Sequence, residues 1–372
     1  MIYVNRPVVA LPPHEVTLKE IQDDIVRAHP DHPRLPAILR VLDSTGVRRR
    51  RFARPLATVA ADRPAAESNA TAYADLCELA ERAAREALDT GGLGPLDVDC
   101  LITTHATAFA VPGLDVHLVN ALGLRSTVSR IPMTQLGCAG GAHALVRAAE
   151  FLAAHPGQRV LVVAAEILSS VYQHSDDSME AMIYKALFGD SAGACVVSGT
   201  RPAGQAFRVD DTWEYVVPDS TERYEMTLDD RGFHFGSTPA ALKGVGDLMP
   251  HLREWLGAET GAWKPQFTIA HTGGPRILTD LATGLECLPE VTRHSWESLQ
   301  ERGNLGAVAV LDVLARTYEA PPATGDTGVL IGFGPGFTAA ACRATWCGPT
   351  GLATEEATEV ATAEVTEEGE RS

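Results

Sequence analysis

The seven cysteines include no CxxC pair. They stand apart at Cys77, Cys100, Cys138, Cys195, Cys287, Cys342 and Cys347. Scattered thiols argue against a thiolate metal site, and no metal ligands are assigned. No stretch stays apolar over the roughly eighteen residues of a membrane span. Residues Met1–Pro12 lack the basic start and apolar run of a signal peptide. These absences read as a reduced, cytoplasmic protein without membrane association. Positive charge is also short: 31 Lys and Arg face 48 Asp and Glu, a formal net charge of −17. Such a surface is poorly suited to neutralising phosphates, so nonspecific nucleic-acid binding is excluded. What is present is ample apolar mass. A chain of 372 residues at 45% hydrophobic composition buries a large core, as one big domain or two fused halves.

Apolar runs bounded by turn residues alternate with longer helical patterns. Strands are read at Cys100–Thr104, Val160–Ala165, Ala194–Ser198, Phe267–His271 and Val329–Phe333. Helices are read at Ala72–Thr90, Gly141–Ala154 and Leu305–Thr317. The alternation predicts an α/β fold with mostly parallel, covered sheets. Within it a long repeat is legible. Leu101–His105 leads to Leu136-Gly137-Cys138, and Phe267–His271 leads to Asn304-Leu305-Gly306, each followed by a helical pattern and an apolar strand. The repeat unit is half the protein. We read residues 1–200 as a first half, 201–346 as a second, and 347–372 as an acidic, disordered tail rich in Glu and Thr. Residues 200–260 fit the repeat least and are read as an inserted, pocket-shaping excursion. The run Arg48–Arg51 reads as a solvated edge or as an attractor for a polyanion.

Cys138 lies in Gln135-Leu136-Gly137-Cys138-Ala139-Gly140-Gly141. Glycines permit a tight strand-to-helix turn, and a helix N-terminus lowers a thiol pKa. Cys138 is therefore read as a nucleophile, whereas Cys195, in an apolar run, is read as structural. His271 ends a strand before Thr272-Gly273-Gly274-Pro275 and is read as catalytic; its repeat mate His105 is read as idle, and His143 as a packed or surface residue. Asn304, in Arg302-Gly303-Asn304-Leu305-Gly306, fits turn chemistry and an amide aimed at a developing oxyanion equally well.

Taken together these motifs resemble the type III polyketide synthases, the chalcone-synthase-like family of the thiolase fold. The resemblance rests on Gln135–Gly141, Ala186-Leu187-Phe188-Gly189-Asp190, Gly232-Phe233-His234-Phe235, His271–Pro275, Gly303-Asn304 and Gly332-Phe333-Gly334-Pro335-Gly336. It runs from about Arg6 to Trp346 and looks most like bacterial tetrahydroxynaphthalene- and alkylpyrone-synthase relatives. It implies two pseudo-repeated halves in a five-layered αβαβα core. It implies that Cys138 carries the growing acyl chain and that His271 and Asn304 bind the thioester carbonyl of malonyl-CoA. Phe188 and Phe235 would gate the cavity, and Arg40 would meet coenzyme A phosphates. Thr107, Gly273 and Gly334 are further substrate-binding positions. Met226 aligns where plant members have a cavity glycine and would narrow the pocket. Three positions depart from the family pattern: Ser44 replaces a basic residue, Ala106 a cysteine, and Gly236–Pro239 a charged segment.

The implied reaction is iterative decarboxylative Claisen condensation of malonyl-CoA onto a starter acyl group, then cyclisation to an aromatic or pyrone product. Coenzyme A thioesters are substrates, no further cofactor is required, and a homodimer is implied. A ketoacyl-carrier-protein synthase III-like condensing enzyme is the alternative. A scaffold on the same fold and a cysteine hydrolase are more distant readings.

Overall fold

The computed structural model describes residues 1–258 and 263–350. The predicted tail from residue 351 onward lies outside the described residues. Ten strands form the main sheet. Those of the first half are β1 (Ile2–Val4), β2 (Val8–Ala10), β3 (Cys100–His105), β4 (Ser129–Thr134), β5 (Arg159–Glu166) and β6 (Ser191–Ser198). Those of the second are β7 (Ala206–Val216), β8 (Phe267–Ala270), β9 (Thr327–Gly334) and β10 (Thr338–Cys347). The last strand thus takes in Cys347, which the sequence reading placed in the tail.

The order is β8-β9-β10-β7-β1-β6-β5-β3-β4, with β2 also paired to β6. Strand β1 sutures the two half-sheets by pairing with β6 on one side and β7 on the other. Within this sheet, among the described residues, parallel pairing occurs only between β3 and β4, β3 and β5, and β8 and β9. The other pairs are antiparallel, which corrects the expectation of mostly parallel sheets. The misreading has a physical source. A strand covered on both faces is apolar throughout, whichever way its neighbour runs.

Eight helices cover the sheet: α1 (Ala65–Thr90), α2 (Leu114–Leu122), α3 (Gly140–Ala154), α4 (Met179–Leu187), α5 (Gly244–Leu256), α6 (Pro275–Gly284), α7 (Arg293–Arg302) and α8 (Ala309–Glu319). Successive strand residues point to opposite faces, and the core divides accordingly. Leu101, Leu161 and Val163 pack outward under α1 and α2. Ile102, Val160 and Val162 pack inward on α3 and α8, together with Ile269 and Leu330 of the second half. Val329 and Ile331 face out again, under α5 and α6. Helix, strand, paired helices, strand, helix is the five-layered thiolase-like arrangement.

The first turn of α3 packs tightly enough that only glycine fits there. A Cβ on Gly141 would lie 2.0 Å from the Ala307 carbonyl oxygen, and one on Gly140 would lie 2.4 Å from Thr104 Oγ1. Above this frame the excursion forms a hairpin, Tyr224–Asp229 with Gly232–Ser237. The basic run is a strand, Arg49–Phe52, whose Arg50 points inward and is fully buried. Its guanidinium donates to the Ala186 carbonyl of α4, so at Arg50 the expectation of a solvated edge is overturned. No described helix is long and apolar enough to cross a membrane.

Candidate active site

Both Leu-Gly steps of the repeat make the same local structure. Gly137 and Gly306 have φ of +53° and +58°, a region that favours glycine. Each opens a short 3₁₀ turn, Gly137–Ala139 and Gly306–Val308, that runs into a central helix. Cys138 stands on the first turn. The second half's turn has Ala307 there, wholly buried.

Cys138, His271 and Asn304 line one cavity of about 60 Å³, although they come from three segments of two halves. His271 follows β8, its N–H donating 2.9 Å to the Ile331 carbonyl. Its ring is buried, and its Nδ1 has no partner among the described residues. Gly273 leaves room for that ring, since a Cβ there would lie 3.0 Å from Nε2. Asn304 is pinned to the segment after α4. Its N–H donates 2.8 Å to Leu187, its carbonyl accepts from Gly189 N–H at 3.0 Å, and Gly303 lies so close to Leu187 that a side chain would clash. The Asn304 Oδ1 accepts from Gly306 N–H at 2.9 Å. This fixes the amide orientation and leaves its N–H to donate towards Cys138.

Burial governs the charge state. It pushes the Cys138 thiol up to about 12, with buried Glu166 adding to the rise, while the Asn304 hydrogen bond opposes it. Burial also pushes His271 down to about 3. Desolvation thus works against the lowering of the thiol expected from the helix N-terminus.

The other predicted positions separate into two groups. Phe188, Phe235, Gly273 and Gly334 line the cavity. Phe188 and Phe235 meet edge to face at 5.4 Å between ring centroids. Gly334 lets β9 touch the nucleophile turn, for a Cβ there would lie 2.6 Å from the Leu136 carbonyl. Met226, Thr107 and Arg40 do not line it. Met226 lies nearer the hairpin tip and is 36% exposed; Tyr224, at the hairpin base, reaches the cavity instead. Thr107 is buried beneath, its hydroxyl donating 2.8 Å to Glu166. Arg40 and Ser44 are exposed, at the end of the helix Leu35–Asp43. His105 is buried outside the cavity, Nδ1 3.2 Å from the Thr107 carbonyl. His143 pairs with Glu214 at 2.5 Å.

Several residues at the site escaped the sequence reading, Glu166 and Tyr184 among them. Glu166 accepts from the N–H groups of Ala106 and Thr107 at 3.1 Å each, and burial pushes it up to about 7. Tyr184 lines the cavity from α4. Its signal was the aromatic spacing Tyr184–Phe188, one helical turn apart.

Comparison with known proteins accords with this geometry. Family models for the N-terminal and C-terminal domains of chalcone and stilbene synthases match residues 55–202 and 210–343. A 1,3,6,8-tetrahydroxynaphthalene synthase of Streptomyces coelicolor is 36% identical over 93% of this chain and 92% of its own. A phloroglucinol synthase of Pseudomonas fluorescens is 33% identical over 91% and 98%. Among solved structures, the tetrahydroxynaphthalene synthase of S. coelicolor A3(2) superposes with a TM-score of 0.88 at 34% identity, covering 93% of this chain and 99% of that one. Germicidin synthase from S. coelicolor, a type III polyketide synthase, gives 0.87 at 33% identity, with the same coverage. With both domain models matched, and relatives aligned over nearly the whole chain, this protein belongs to the chalcone and stilbene synthase family and is a type III polyketide synthase, an acyltransferase on a thiolase-like fold.

Proposed function

We propose that Cys138 is the acyl-carrying nucleophile, that His271 is the proton acceptor for its loading, and that His271 and Asn304 hold the malonyl thioester oxygen. One observation carries this reading. Asn304 has its amide oxygen tied to Gly306 N–H, which leaves its N–H for the cavity shared with Cys138 and His271. The free Nδ1 of His271 supports two roles, because no partner locks one tautomer. In loading, Nε2 accepts the Cys138 proton as the sulfur attacks the starter acyl-CoA carbonyl. That proton leaves with the coenzyme A thiolate. In extension, Nε2–H donates, with Asn304, to the oxygen of malonyl-CoA. Loss of carbon dioxide then leaves an enolate that both donors stabilise in a cavity walled by aromatic rings. The enolate carbon attacks the Cys138 thioester, forms the new carbon–carbon bond and releases Cys138 as the leaving group. No step calls for a metal or redox group, and coenzyme A thioesters are the only small partners needed.

In this reading the halves 1–200 and 201–346 divide the work, the first supplying the nucleophile and the second the oxyanion donors. Repeated extension and cyclisation yield an aromatic or pyrone product. The protein acts in the cytoplasm, in keeping with seven unpaired thiols, and as a homodimer. Strand β4 ends the sheet with one side unpaired, and Phe109 and Val111 stand 70% and 84% exposed. Light scattering giving a monomer mass would overturn the dimer.

The deciding experiment supplies acyl-CoA starters with malonyl-CoA or with malonyl-carrier protein. Products are read by mass spectrometry, and the acyl adduct by intact mass. Turnover with malonyl-CoA and a Cys138-dependent adduct are expected. Turnover only with the carrier protein would favour the ketoacyl-synthase reading, and free acid without malonyl consumption would favour a hydrolase.

A further inference from the structure

Tyr184 occupies the cavity more firmly than a lining residue must. Its ring stacks on Phe188 at 5.0 Å and an interplanar angle of 17°. It meets Phe235 edge on, at 4.7 Å and 85°. Its hydroxyl donates 2.8 Å to Ser237 Oγ on the far strand of the hairpin. Burial pushes the phenol up, so it stays a neutral donor. The helix that carries it is anchored as well: Ser178 caps the N-terminus by accepting from Ala181 N–H, and Arg50 holds the Ala186 carbonyl near the other end. The ring is therefore fixed from its backbone, from two aromatic faces and from its tip. Tyr224 closes the neighbouring wall, but from the hairpin's outer strand, which is largely exposed.

The space left beside Cys138 is about 60 Å³. On that measure about 10–15 Å³ holds one water-sized group. A ketide unit adds three linked heavy atoms, so this space holds about one or two such units beyond the thioester. Further growth has to displace something. Asn304 and His271 are held by backbone hydrogen bonds, and Phe333 and Phe337 are core residues. Tyr184 is the half-buried wall on the neighbouring helix that a hydrogen bond ties to the hairpin.

We propose that Tyr184 sets the chain length: its ring is the stop against which the growing acyl chain ends, which confines the enzyme to short starters and short products. The proposal rests on the reading that Cys138 carries the chain.

The test compares the wild type with Tyr184→Ala and Tyr184→Phe. Malonyl-CoA and a short acyl-CoA are supplied, and product lengths are read by mass spectrometry. Tyr184→Ala should move the main product up by at least one ketide unit. Tyr184→Phe keeps the ring and should keep the wild-type length. Unchanged length in Tyr184→Ala would overturn the proposal. So would equal lengthening in both variants, because the hydroxyl tether and not the ring would then be the limit. A second measurement needs only the wild type. Intact-mass loading of Cys138 by saturated acyl-CoAs should fall more than tenfold between a two-carbon and a twelve-carbon chain, and equal loading would overturn the stop. Absence of any adduct on Cys138 would overturn the carrier reading itself, a result separate from either length outcome.

Discussion

The two halves carry the same backbone device and use it differently. Gly137 and Gly306 adopt matching left-handed turns before matching central helices. Yet the first turn presents Cys138 to the cavity, while the second buries Ala307 against Gly141. The histidines are unlike in the same way. His105 is engaged by the Thr107 carbonyl outside the cavity, whereas His271 faces it with Nδ1 free. The difference teaches that duplication supplies position and not chemistry. A shared frame sets where a side chain stands, and its immediate partners decide whether it can react.

The largest effect expected from breaking this asymmetry is at the nucleophile. Cys138→Ala should abolish product and acyl adduct together. Adding Ala307→Cys to that variant should not restore either, because position 307 is sealed in the core. Product formation by the double variant would show the turns to be interchangeable. Next come the histidines. His271→Ala should lower turnover by on the order of 100-fold or more. His105→Ala should cost stability, about 1 kcal/mol for one buried hydrogen bond, and leave turnover within about tenfold. Parallel kinetics and thermal melts separate these outcomes.

Asn304→Ala should slow malonyl-CoA decarboxylation by on the order of 100- to 1000-fold, with starter loading on Cys138 affected less. The opposite order would remove Asn304 from the oxyanion role. A subtler probe is alkylation of the resting enzyme by iodoacetamide. With the thiol pushed up to about 12, the rate should climb about tenfold per pH unit from pH 7 to about pH 10. A plateau at neutral pH would mean a standing thiolate–imidazolium pair. The smallest effect concerns Glu166, raised by burial in the folded state to about 7 from its ordinary value of 4.5. A raised carboxyl favours folding while protonated, so its contribution is present below about pH 4.5 and lost as pH rises through about 7. The melting temperature should fall over that window, and Glu166→Gln should flatten the fall.

The frame was legible because buried strands announce themselves. Cys100–His105, Arg159–Glu166 and Thr327–Gly334 are apolar runs of strand length. Strands β1 and β2 were missed because three residues give no period. The central trio was legible because glycine marks tight backbone on either side of it. Met226 was misplaced because spacing along a hairpin does not say how far it reaches over a cavity, and Tyr224 took that place. The desolvation acting on Cys138 was not legible for a different reason: a helix terminus is local and visible in sequence, while burial comes from both halves at once.

The contact of Gly141 with the Ala307 carbonyl bears on how substrate gets in. At Gly141 the first turn of α3 lies so close to the turn that opens α8 that no side chain fits between them. A seat that tight beside Cys138 is a poor place for a hinge between the halves. Traffic to Cys138 is left to the rim, where the hairpin of Tyr224–Ser237 and the phenyl rings can shift over a floor that does not.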